Sequence, residues 1–126
     1  MMSRWLLLFT GCFAISIGLV LLIAPQSYLG LYAVNYTPDM DFAARRFSPA
    51  VLGLGALLLI ARNLPGSRFL ANLCLITGLV FLGVAATGLH AWLGGTARAT
   101  ILIAAATEVT LAALFLVAAS QIRKSR

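Results

Sequence analysis

Charge is what this chain lacks. Of its 126 residues, 3 are acidic and 9 are basic. Charged residues make up 10% of the sequence, whereas a soluble domain carries about 25%. So few charges cannot cover a composition that is 62% hydrophobic, which excludes a globular fold exposed to water on all sides. Histidine occurs once, at His90, and cysteine twice, at Cys12 and Cys74. The cysteines show no C-x-x-C spacing and have no histidine nearby, so no zinc site is expected. No Ser-His-Asp set, phosphate loop or carboxylate cluster is present, so hydrolytic and metal chemistry are not expected. The chain is read as a non-enzyme with no cofactor, no catalytic residue and no metal ligand. The basic residues form no aromatic-interleaved stripe, so nucleic acid is not expected as a partner despite a sequence pI near 10.4.

What is present is a mean hydropathy of +1.03 and long apolar runs punctuated by Arg, Pro and Gly. These predict an all-α fold, a four-helix transmembrane bundle forming one domain over 1–126, with helices at about 5–24, 38–62, 68–92 and 97–120. The run Trp5 to Ala24 has 20 residues without a charge, enough for about 30 Å of hydrocarbon. It is longer than a signal-peptide apolar region and lacks an A-x-A site, so an uncleaved helix is expected. Tyr28, Tyr32 and Tyr36 follow at a spacing of four, as an interfacial aromatic belt, with a ligand-stacking stripe as the alternative.

Thr37, Pro38 and Asp39 read as the cap and first turn of the second helix. Asp41 and Arg45 are placed for an i, i+4 ion pair. Pro49 inside that helix should kink it and free the carbonyl of Arg45. Pro65 and Gly66 predict a type II turn, and Thr96 is a candidate cap for the last helix.

Loop charges set an expected orientation. Arg4, Arg62, Arg68, Arg123, Lys124 and Arg126 fall on the side of the termini, against Arg45, Arg46 and Arg98 on the other, so both termini are expected in the cytoplasm. An offset of 60 aligns Gly18-Leu19-Val20 with Gly78-Leu79-Val80 and Phe9 with Phe69. That would be a parallel repeat of two hairpins, or the chance product of an apolar bias.

Glu108 is the most informative residue, because an acid near the middle of a span costs about 2.5–3.5 kcal/mol and usually has a partner or a function. Three readings stand, with an inter-subunit contact as the remainder. It is protonated and hydrogen-bonded to Thr107, Thr110, Ser16 or Thr77, it pairs with an arginine from the outer end of the second helix, or it is a proton- or cation-coupled site. Arg45, Arg46, His90 and Arg98 all fall toward the same end and with Glu108 form a candidate intramembrane polar site, suited to an anion or lipid headgroup. The alternative is that the arginines reach out to lipid phosphates. Cys12 and Cys74 lie at similar depth in the first and third helices, as free buried cysteines or as a redox pair.

The stretch RFSPAVLGLGALLLIAR from Arg46 to Arg62 resembles a family of small bacterial four-helix membrane proteins of unknown function, distantly similar to the DoxX-like group. The resemblance implies a four-helix bundle in a bacterial inner membrane, and DoxX-like proteins are linked to redox systems. Three functions are therefore carried. The first is a non-enzymatic membrane component, either an accessory subunit of a larger membrane partner or a small homo-oligomer among membrane lipids. The second is a small proton-coupled transporter or channel using Glu108, and the third is a redox-associated membrane protein.

Overall fold

A computed structural model describes residues 2–125. Arg126, counted above among the basic residues at the termini, lies outside that range. Five helices follow in order: α1 (Met2–Ile23), α2 (Pro25–Tyr32), α3 (Met40–Ala61), α4 (Arg68–Leu93) and α5 (Ile101–Lys124). All but α2 are long and apolar enough to cross a membrane. The chain is an all-helical, multi-pass membrane protein.

The spans pack as two antiparallel pairs, α1 with α3 and α4 with α5. Each pair is drawn together where a side chain is missing. A Cβ added to Gly55 would lie 2.8 Å from the carbonyl oxygen of Gly11 and 3.0 Å from the backbone nitrogen of Ile15. A Cβ on Gly78 would lie 3.2 Å from the carbonyl oxygen of Ala112. In lipid, where apolar surface gains little by leaving its solvent, such backbone approaches and the dispersion contacts they permit hold helices together. The two pairs join at the end that carries both termini. There Leu6, Leu7, Leu58, Ala61, Leu70, Ala71, Cys74, Phe115, Ala118, Ala119 and Ile122 form one buried cluster. Arg123 Nη2 donates to Asn72 Oδ1 at 2.9 Å at the same end, tying α5 to α4.

The offset of 60 recurs in the packing. Thr10, Gly11, Ala14 and Gly18 are buried on α1, and Leu70, Ala71, Cys74 and Gly78 are buried on α4. Gly55 and Leu58 on α3 correspond to Phe115 and Ala118 on α5, all buried. At this offset the two hairpins differ most at the break after α1. Pro25 stands where the second half has Ala85. Proline lacks the N–H that would continue the ladder, so α1 stops at Ile23 and α2 starts in a new direction, while α4 runs through to Leu93.

Several local expectations change. Thr37 and Pro38 form a turn that accepts from Met40 and Asp41, and α3 begins at Met40 without a side-chain cap. The last span begins at Ile101 rather than Ala97, because Gly95 turns the chain at φ +81° and Ala97 pairs with Ala33 in an isolated bridge. Thr96 donates its hydroxyl to the Ala91 carbonyl instead of capping α5. Gly66 has no positive φ, so the expected type II turn is absent. The Ser67 hydroxyl instead accepts from Leu70 N at 3.1 Å and caps α4.

Candidate functional site

Glu108 is the eighth residue of α5, about 10 Å below its start at 1.5 Å per residue. The later start of the helix brings it about 6 Å nearer the α2 end than a start at Ala97 would. Going down α5 it shares one face with Ala112, Phe115, Ala119 and Ile122, the buried stripe of that helix. The carboxyl therefore belongs to the interior side of α5, above the level where the core closes, and it is half-buried.

None of the hydroxyls named as its partners is bonded to it, and each gives its proton elsewhere. Thr107 donates to Ile103 O, Thr110 to Ala106 O, Ser16 to Cys12 O and Thr77 to Leu73 O. Each satisfies a carbonyl of its own helix, as isolated hydroxyls in apolar helices do. Among the described residues there is no salt bridge, so the arginine pairing for Glu108 is not formed.

The group that does feel Glu108 is Tyr28. Its phenol is pushed up to about 12, first by burial, then by Tyr32, then by the charge of Glu108. Tyr28 and Tyr32 meet edge to face, with ring centroids 5.0 Å apart. They are half-buried, so two of the three tyrosines are packed on one face of α2. Tyr36 lies beyond α2 and donates its hydroxyl to Asp41 Oδ1 at 2.7 Å. That bond pushes the Tyr36 phenol up.

The segment above Glu108 is fastened down. Arg98 N donates to Tyr32 O at 2.6 Å, Val34 N to Thr96 O at 3.1 Å, and the Thr100 hydroxyl to Leu31 O at 2.5 Å. These bonds satisfy the open end of α2 with the loop that leads into α5, and they carry Tyr28 across to the α5 side.

No family model matches this chain, and no curated protein and no solved structure matches it. The site is therefore read from its own geometry.

The five residues expected together divide into three groups. Arg45 and Arg46 line one shallow depression with Pro38, Asp41 and Phe42. Arg45 does not pair with Asp41, whose carboxylate holds Tyr36; its Nε donates to Leu22 O at 3.3 Å. That carbonyl sits one turn before the Pro25 break, where the α1 ladder stops. Glu108 faces Tyr28. His90 and Arg98 are exposed at the α4–α5 connection, and Arg98 contributes its backbone to the α2 clasp.

Pro49 does free the Arg45 carbonyl, and the Ser48 hydroxyl, fully buried, donates to it at 2.8 Å. Sequence reasoning missed Ser48, although its place just before Pro49 was the signal. It singled out Tyr28 as part of an aromatic belt or stacking stripe but not its electrostatic link to Glu108. Cys12 is exposed on α1 and Cys74 is buried in the core, so the two thiols occupy different environments. Among the described residues no three His, Cys, Asp or Glu side chains are grouped to hold a metal ion.

Proposed function

We propose that this chain is a non-enzymatic component of a membrane assembly, and that Glu108 is where it engages another membrane-embedded chain. The observation that supports this is an acid on the interior face of α5 whose candidate hydroxyl partners are all bonded to their own helices. A carboxyl at that depth calls for a donor, and a second chain, either a larger partner or another copy, is a source of one. Weak joining of the two helix pairs above the core leaves room for a further helix to approach. The bacterial inner membrane is the setting implied by the DoxX-like resemblance, and it enters the proposal with it. The test is copurification of the tagged chain from its own membrane in a gentle detergent. The proposal expects a partner, or a second copy, that Glu108→Gln retains weakly and Glu108→Ala loses. Equal recovery with all three chains would remove Glu108 from the contact.

A second reading has its own support. Burial and Tyr32 raise the Tyr28 phenol, and the charge of Glu108 adds to them. A half-buried carboxyl in a membrane span is a residue that can take up and release a proton, as in a small proton-coupled transporter. It predicts that Glu108→Gln abolishes proton-coupled flux in vesicles while the protein still folds. Unchanged flux would end this reading.

A further inference from the structure

The end of the bundle that carries the termini has a site built on different residues. Gly11 and Gly55 face one another where α1 and α3 cross. Seven residues further along each helix toward that end, about two turns on the same face, stand Arg4 and Arg62. The antiparallel register thus brings two guanidinium side chains together, one from the first turn of α1 and one from the residue that caps α3.

Two cavities flank this pair. One, of about 370 Å³, is lined by Arg4, Trp5, Leu8, Arg62 and Asn63. The other, of about 490 Å³, shares Arg4, Arg62 and Asn63 and is walled by the α3–α4 turn and the end of α5. The first continues onto the lipid-facing side of α1, where Trp5 is 61% exposed and stacks against Phe9. The second continues toward the connecting turn.

Among the described residues no acidic side chain lies at this end to balance these charges. Its three acidic side chains are Asp39, Asp41 and Glu108, all toward the other end of the bundle. Arg68, Arg123 and Lys124 add positive charge at this end. Two like charges lining the same cavities are stabilised by an anion that both can reach. Guanidinium groups offer planar, paired donors that match phosphate oxygens.

We propose that Arg4, Arg62 and Asn63 bind the phosphate of an anionic phospholipid, whose acyl chain lies along Trp5 and Leu8. The contiguous apolar wall argues for a lipid rather than a free phosphate. An indole at the headgroup level is where tryptophan settles in a bilayer. Basic pockets between spans on one face of a membrane hold such headgroups. This site is separate from Glu108 and does not depend on how that residue is used.

The test is native mass spectrometry of the purified full chain, with phosphatidylglycerol or phosphatidylcholine added at equal amounts. The site predicts retention of phosphatidylglycerol over phosphatidylcholine. Each basic side chain near the surface strengthens anionic-lipid binding about fivefold. The double variant Arg4→Gln with Arg62→Gln should therefore lower phosphatidylglycerol retention roughly 25-fold. The control Arg68→Gln with Lys124→Gln removes the same charge from the same end and should change it far less. Arg62→Lys, which keeps charge and helix, should fall between wild type and the double variant because the paired donors are lost. Equal loss in the control would mean diffuse surface charge and overturn the site. So would equal retention of phosphatidylcholine. Displacement of the lipid by inorganic phosphate at comparable concentration would also overturn it, since the acyl wall would then contribute nothing.

Discussion

Replacing Gly55 by alanine should unsettle the α1–α3 pair, whereas the same change two residues away at Gly53 should not. A Cβ on Gly55 would lie 2.8 Å from the Gly11 carbonyl oxygen, 0.6 Å inside the 3.4 Å at which ordinary contact begins. The obstructing atoms include backbone, so neither can swing aside as a side-chain tip would. The helices must separate, and overpacking of this kind costs about 1–3 kcal/mol. Alanine also returns about 0.5–1 kcal/mol relative to glycine inside a helix. A Cβ on Gly53 meets nothing within 4 Å, so only that favourable term applies there. The two variants should differ by about 1–3 kcal/mol, with Gly55→Ala below wild type and Gly53→Ala at or above it. Unfolding in mixed micelles of a mild detergent and SDS, followed by far-ultraviolet circular dichroism, reads the difference. Equal midpoints for the two variants would refute the claim that backbone contact at Gly11 and Gly55 sets this pair.

Other substitutions test other contacts. Thr10 is 1% exposed and its hydroxyl is buried without a hydrogen bond; Thr10→Val keeps the shape and should raise stability by about 1 kcal/mol or more in the same assay. Ser48→Ala should destabilise the chain by about 1–2 kcal/mol, because it strands the Arg45 carbonyl that Pro49 leaves open. The effect should shrink in a Pro49→Ala background, where that carbonyl regains a backbone donor. Both Tyr28 and Tyr36 hold their protons more tightly in the fold. The stability they contribute is therefore complete below pH 10, the ordinary phenol value, and is lost as pH rises through their folded values. Ultraviolet titration of a Tyr32→Phe, Tyr36→Phe chain should find Tyr28 near 12. Adding Glu108→Gln should lower that midpoint by removing the negative charge.

Length and hydropathy made the four spans legible, since no other element of 22 or more apolar residues suits this composition. The freed carbonyl at Arg45 was legible too, because proline chemistry is local. The start of α4 at Arg68 was legible, but the starts of α3 and α5 were not. Thr37 and Thr96 look like caps, yet each lies in a connection whose backbone is held by other segments, Thr96 through the pairing of 33 with 97. The polar site was legible as a set of unusual residue types but not as an arrangement. Arg45 is drawn to Leu22 O by the break at Pro25, and Asp41 to the Tyr36 hydroxyl. The two partners flank the Pro25–Tyr32 helix, Leu22 at the end of α1 and Tyr36 just beyond α2. The same break sets the place of Tyr28, whose phenol feels the charge of Glu108 from 80 residues away, a coupling that no periodicity could reveal.

The most direct test of the account is native mass spectrometry of the chain excised from its own membrane in polymer-bounded lipid discs, wild type beside Glu108→Ala. The account predicts a wild-type particle containing a second chain, a copy or a partner, and a Glu108→Ala particle containing one chain alone. A wild-type particle holding a single chain and lipid would contradict it.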